Sequence, residues 1–368
     1  MSASRRDFLA AAAAASAAIS WPSLAFGEPR RVGQPGGPIL LHSNENAYGP
    51  FPEVMAAMRG SLAKAHRYPD RAQEQFLTRL AEFQNVSVKQ LVVGCGSTDI
   101  LRMAAEAFTG PDRKLIVASP TFEALGEYAT MRGAEVVKVP LRSDFAHDLT
   151  AMLAKIDGNT GLIYICNPNN PTGSLTPARE IDNFLSHFRE PVTVLVDEAY
   201  HHFADGATEY RSVLGRASQS ERVIVCRTFS KVYGLAGLRL GYAVGTPETV
   251  AQLASRRTFD NVNTVAAHCA GVALENAPAL AAAISRNARD RASFLSQAAA
   301  RRLKTIPSYA NFIMLDTSRD IREVIQHFEH HRILVGRPFP PLNTYLRVSL
   351  GTPSEMAEFW RVWDLMRN

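Results

Sequence analysis

The sequence predicts an α/β protein: a large domain whose mostly parallel sheet lies between helices, plus a smaller α/β domain. Three observations predict it. From Leu91 onward, short β-branched runs alternate with longer helical patterns, as strand–helix units do. The runs are almost wholly apolar, which suits strands buried on both faces. From about Pro247 the chain becomes helical and alanine-rich, then ends in short strand-like segments and a final helix.

In chain order the units are LVVGC followed by TDILRMAAEAF, KLIVASP followed by TFEALGEYATMRG, EVVKVP, GLIYICNP followed by an acidic-capped helix, VTVLVDEAY, and RVIVCRTFS. The helix in TDILRMAAEAF carries apolar residues at 100, 101, 104, 105 and 108, the spacing of one buried face. After position 247, NFIMLD, RILVGRP and YLRVSLG read as strands of the second domain. The expected organisation is a signal at 1–25, an arm at 26–60 that completes the small domain, a large domain at 61–255 and a small domain at 256–368.

The chain has 368 residues, 46% hydrophobic and 20% charged, enough for roughly two domains. Its formal charge is +5, but acids and bases are interspersed and no basic run carries interleaved aromatics. That excludes a nucleic-acid binder and suggests weak attraction to anionic small molecules. Cys95, Cys166, Cys226 and Cys269 show no C-x-x-C spacing and are expected as buried free thiols.

The N-terminus reads as a processing signal. SRRDFLA at 4 to 10 sets paired arginines before an alanine-rich stretch, and Ser23-Leu24-Ala25 offers a small-x-small cleavage pattern. It resembles a twin-arginine export signal, so the twin-arginine machinery is an expected partner and the periplasm the expected location. No later segment is long and apolar enough to span a bilayer, so no stable membrane insertion is expected.

Ligands of open α/β sheets gather at the carboxyl ends of the strands. GCGSTDILRMAAEAF at 94 to 108 places Gly96, Ser97 and Thr98 at a helix start, where amides and partial positive charge suit a phosphate, or where Ser97 or Thr98 is an ordinary N-cap. VTVLVDEAYHHF ends a buried strand with Asp197, which needs a cationic or donor partner, and with Glu198, more often structural. His201 and His202 lack a third ligand and read as surface residues, so no metal is expected. NPNNPTGSL at 167 to 175 is a proline-fixed turn presenting Asn170. TFSKVYGLAGLRLGY at 228 to 242 holds two cations, Lys231 and Arg239, among glycines and no acid, so its backbone approaches something closely.

NPNNPTG, VDEAY and TFSKVYGLAGLRLGY, in this order, resemble the fold type I pyridoxal-phosphate aminotransferases. NENAYGP at 44 to 50, RYPD at 67 to 70, SPTF at 119 to 122 and YLRVSLGTP at 345 to 353 are similar to the histidinol-phosphate aminotransferase group, from about residue 40 to the C-terminus. The resemblance implies pyridoxal 5'-phosphate as cofactor and Lys231 as the residue joined to its aldehyde. That amine must lose its proton to react, and an apolar pocket with a second cation nearby lowers a lysine's pKa.

It further implies that Arg239, Thr228, Ser230 and the Gly96–Thr98 turn grip the phosphate, and that Asp197 keeps the pyridine nitrogen protonated. Asn170 and Tyr200 would bond the cofactor's phenolic oxygen, Phe122 would stack on its ring, and Tyr68 would reach the phosphate from the neighbouring subunit of a homodimer. For the substrate, Arg347 would bind the anionic head, with Arg337 a second positive contact, Tyr48 on the substrate side, and Asn44 and Asn311 at the edges. The implied reaction moves an amino group from an amino acid or histidinol-phosphate-like amine to a 2-oxo acid. A decarboxylase of a phosphorylated amino acid on the same fold, and a non-catalytic ligand-binding homologue, are the alternatives. Export sits poorly with histidine synthesis, which leaves the substrate open.

Overall fold

A computed structural model describes residues 37–187, 192–220 and 222–366; the expected signal at 1–25 and the start of the arm lie outside them. Twelve strands follow in chain order: β1 (Ile39–Leu41), β2 (Leu91–Cys95), β3 (Lys114–Ser119), β4 (Val136–Pro140), β5 (Thr160–Cys166), β6 (Thr193–Asp197), β7 (Val223–Thr228), β8 (Leu240–Val244), β9 (Lys304–Thr305), β10 (Phe312–Asp316), β11 (Ile333–Val335) and β12 (Tyr345–Ser349). Seven of them form one sheet in the order β2-β8-β7-β6-β5-β3-β4. The steps β7-β6-β5-β3-β4 are parallel, and β8 is antiparallel to both its neighbours.

Successive strand residues point to opposite faces, so a sheet covered on both sides needs apolar residues at every position. In β5, Leu162, Tyr164 and Cys166 pack under the helix Ser97–Phe108 with its Ile100, Leu101, Ala104, Ala105 and Phe108. Ile163 and Ile165 face the other way, onto Ile181 and Phe184 of the helix Ala178–Ser186.

β8 is the strand the sequence reading did not separate from the TFSKVYGLAGLRLGY motif. It holds the motif against the sheet, and its glycine is forced: a Cβ on Gly241 would stand 2.2 Å from the Ser97 amide nitrogen. The smaller sheet has the order β12-β10-β9, antiparallel throughout, while β1 pairs in parallel with β11. The residues around Leu41 thereby join a core that includes Phe294, Phe328, Phe359, Trp360 and Trp363.

Two expectations need correction. Cys95 is exposed because β2 ends there at the rim of the sheet, whereas Cys166, Cys226 and Cys269 are buried free thiols. His201 and His202 are partly buried, not on the surface: a short helix, His201–Ala204, brings their rings to 3.7 Å, and burial pushes His202 down to about 3. His202 Nε2 lies 3.3 Å from the Tyr233 hydroxyl.

Beneath the sheet's ligand edge lies a buried ion pair. Arg227 donates to Glu198 Oε2 from Nε at 3.0 Å and from Nη2 at 2.7 Å, and the Val213 amide donates to Glu198 Oε1 at 2.9 Å. Removing one partner of such a pair strands the other charge away from water, at a cost of about 3–5 kcal/mol. Glu198→Ala should therefore lower stability by about that much in urea unfolding. Asp157→Ala, which removes the exposed partner of Lys114, should cost far less, and equal losses in the two variants would contradict this assignment.

Candidate active site

A cavity of about 790 Å³ opens where the carboxyl ends of β5, β6 and β7 meet the start of the helix Ser97–Phe108. Segments 42–45 and 335–347 wall its other side. Of the residues expected at a site, Ser97, Thr98, Phe122, Asn170, Asp197, Tyr200, Thr228, Ser230, Lys231, Arg239, Arg337 and Arg347 all line it.

One end of the cavity is positive and holds no acid. The helix Ser97–Phe108 begins without a side-chain cap, so its first amides stay free to meet an anion. Arg239 reaches over this helix start: a Cβ on Gly96 would stand 2.3 Å from its Nη2. Gly96 at φ 77° and Arg239 at φ 56° both adopt left-handed backbone, which turns the two segments toward each other. Among the described residues the guanidinium donates only to oxygens without charge, Ala236 O at 3.1 Å and Ser230 Oγ at 3.4 Å. Thr228 Oγ1 donates to Ser230 Oγ at 3.0 Å, which adds two hydroxyls to the cradle. A free helix N-terminus, a guanidinium without a carboxylate and two hydroxyls are the donor set of a phosphate site.

The other chemistry sits on adjacent strand ends. Asp197 is buried at the end of β6, where the Tyr164 hydroxyl donates to Oδ2 at 2.9 Å and the Ala199 amide to Oδ1 at 3.0 Å. Burial pushes its carboxyl up to about 6, against the pull of these donors and of Lys231. Lys231 donates from Nζ to the carbonyls of Asn44 at 3.2 Å and Ser43 at 3.4 Å. Burial, aided by Arg347, holds its amine down to about 8, with Glu45 and Asp197 opposing. The Tyr200 ring lies 5.5 Å below that nitrogen, and its hydroxyl accepts from Asn44 Nδ2 at 3.1 Å. Asn44 is thus a hub: Asn311 Nδ2 donates to its carbonyl at 3.0 Å, and its own amide donates to Ser349 Oγ at 2.8 Å.

At the far end, Arg347 donates to Asn170 Oδ1 at 2.7 Å and to His42 O at 2.6 Å, while its buried Nε has no partner among the described residues. Burial lowers its guanidinium to about 10. Arg337 pairs with Glu123 at the mouth and lies over the Phe339 ring, which Arg347 also approaches, at 4.4 and 4.6 Å respectively. Sequence reasoning missed Glu123, Phe339, His42 and Tyr164. Glu123 and Phe339 stand one and two positions from residues it did single out, and that adjacency was the available signal.

Four expected residues are not in the lining: Gly96 and Asn311 stand behind it, against Arg239 and Asn44, and Tyr48 and Tyr68 lie elsewhere. Tyr48 is outside the cavity lining; its hydroxyl donates to Asp290 Oδ2 at 3.1 Å, and Arg286 covers its ring at 4.3 Å. Tyr68 is 80% exposed and lies outside the lining of the cavity in its own chain.

With this geometry in hand, comparison with known proteins is informative. The sequence profile of the family "Aminotransferase class I and II" matches residues 37–362. A histidinol-phosphate aminotransferase of Moorella thermoacetica is 37% identical over 325 residues, covering 88% of this chain and 84% of that protein. One of Geobacillus thermodenitrificans is 34% identical, covering 86% and 87%. The crystal structure of histidinol-phosphate aminotransferase from Sinorhizobium meliloti in complex with pyridoxal-5'-phosphate superposes with a TM-score of 0.83 at 26% identity, covering 89% of this chain and 91% of that one. The chain belongs to the class I and II aminotransferase family.

Proposed function

We propose that this protein is a pyridoxal 5'-phosphate-dependent aminotransferase, moving an amino group from an amino acid or a histidinol-phosphate-like amine to a 2-oxo acid. The observation that carries the reading is the convergence on one cavity of a partly buried amine held near 8, a buried carboxylate and a phosphate cradle lined by no acid. The residues fit the cofactor: Arg239, Ser230, Thr228 and the Ser97–Thr98 amides would hold its phosphate, Asp197 its ring nitrogen, and Asn170 and Tyr200 its phenolic oxygen. Phe122 would lie against the ring.

When bound, the cofactor supplies an electrophilic aldehyde carbon and a protonated ring that takes up the electron pair left by the substrate's α-proton. Lys231 does the remaining work. Its amine, lowered to about 8 by desolvation and Arg347, loses its proton more readily than a free lysine, and the neutral amine can attack a carbonyl carbon or accept a proton at Nζ. Asp197, anionic above about 6, neutralises the proton on the ring nitrogen. Arg347 fixes the anionic head of the substrate, which orients the α-carbon toward Nζ.

Three further parts belong to this reading. The large domain at 61–255 and the small domain at 256–368 frame the cavity. Tyr68, exposed in the single chain, supports a homodimer in which it reaches the partner's cofactor phosphate. The paired arginines of SRRDFLA support export by the twin-arginine route to the periplasm, a route that carries folded proteins.

Adding amino donors to the yellow holoenzyme should convert its absorbance to that of the pyridoxamine form without release of carbon dioxide. Carbon dioxide would indicate the decarboxylase, and no change with any donor would overturn catalysis altogether. Because the amine must be neutral to capture the aldehyde, reconstitution of the apoprotein should speed up as pH rises through about 8 and level off above it. A rate flat from pH 6 to pH 10 would contradict a lysine with a lowered pKa. Arg239→Ala should weaken cofactor affinity at least about tenfold, measured by equilibrium dialysis, as expected for loss of a charge-assisted phosphate contact.

A further inference from the structure

The reading above leaves open whether the anionic head of the substrate is a carboxylate or a phosphate ester. We infer that Glu123 decides this, cancelling the charge of Arg337 so that the head site around Arg347 matches a carboxylate and disfavours a phosphate. The inference rests on the aminotransferase reading and deepens it.

The charges facing the head site can be named. Glu45 lines the cavity beside His42 and adds negative potential. Arg347 is buried and held by Asn170 and the His42 carbonyl. Arg337 is the second cation, reaching the same cavity across the Phe339 ring that both guanidinium groups approach. Its charge is not free: Glu123, on the opposite wall at the start of the helix Ala124–Met131, pairs with it directly. His42 is held below its ordinary value by burial, so it adds no charge at neutral pH. Glu329, also lining the cavity, has no ion-pair partner among the described residues and adds negative potential. What remains for an incoming head is the single charge of Arg347 and its unpartnered Nε.

A carboxylate carries one negative charge; a phosphate ester carries nearly two above pH 7. A phosphate that reaches Arg337 shares its guanidinium with Glu123, whose carboxylate then faces a dianion. The Glu123–Arg337 pair is about half exposed on both sides, so water screens it and the discrimination is moderate, on the order of tenfold.

The test uses the holoenzyme and two matched pairs. L-histidine and L-histidinol phosphate share the imidazole and the α-amine and differ at the head, so their half-reaction kcat/KM values compare heads directly. Acetate and methyl phosphate, titrated by calorimetry, compare the same heads without turnover. The wild type should favour histidine and acetate, and Glu123→Gln should move both preferences about tenfold toward the phosphate. Arg337→Ala added to Glu123→Gln should abolish that gain, which a merely structural role for Glu123 would not predict. Preference for the phosphate in the wild type, or preferences that Glu123→Gln leaves in place, would overturn the inference. Failure of the aminotransferase reading looks different: no amino donor would react, while the two anions would still report the head site.

Discussion

The constraint on which the site depends is that Lys231 is partly buried with, among the described residues, no carboxylate within hydrogen-bond distance of its nitrogen. Its nitrogen meets two backbone carbonyls, and burial together with Arg347 outweighs Glu45 and Asp197 in disfavouring the ammonium form. A lysine in that position costs folding free energy as long as it keeps its proton. It is tolerable only if the protein makes use of the neutral amine. The same logic governs Arg239, whose guanidinium meets only uncharged oxygens beside a helix N-terminus that no side chain caps. Neither group has a carboxylate at hydrogen-bond distance among the described residues, and together they describe the anion and the carbonyl that would complete them.

The fold supplies the precision this arrangement needs. Asp197, Thr228 and the 167–170 turn leave neighbouring parallel strands in register, with Cys166 beside Asp197 and Asp197 beside Cys226. Their spacing is therefore set by the strand ladder and not by loop conformation. The antiparallel β8 returns Arg239 to the helix start, with Gly241 permitting the close approach. Opposite, segment 42–45 follows β1, whose pairing with β11 ties it to the residues that carry Arg337 and Arg347. Substrate-side and cofactor-side groups thus ride on different sheets, and Asn44 joins them through Tyr200, Lys231, Asn311 and Ser349.

Much of this was legible in the sequence because the chemistry sits at strand ends, where an apolar run stops abruptly on a polar residue. Asp197 after VTVLV and Asn170 after GLIYIC stand out for that reason, and glycines mark where the backbone must approach closely. What the sequence hid is mostly pairing across the chain. Glu123 and Arg337 are 214 positions apart, and nothing local indicates that one neutralises the other. Tyr164 reads as one more core aromatic in β5, yet its hydroxyl bonds Asp197. Tyr48 is the reverse case: its motif suggested the substrate side, but within the chain Asp290 and Arg286 hold it elsewhere. The two histidines read as surface residues because no third ligand stood near them in sequence, whereas a helical turn stacks their rings under partial burial.

The central claim is that the ε-amine of Lys231 is the group that holds the aldehyde of the cofactor. Borohydride reduction of freshly purified holoenzyme, followed by peptide mass mapping, tests it most directly. The account predicts a pyridoxyl adduct on the peptide carrying Lys231 and on no other lysine. An unmodified Lys231 peptide, or an adduct fixed at a different lysine, would contradict it.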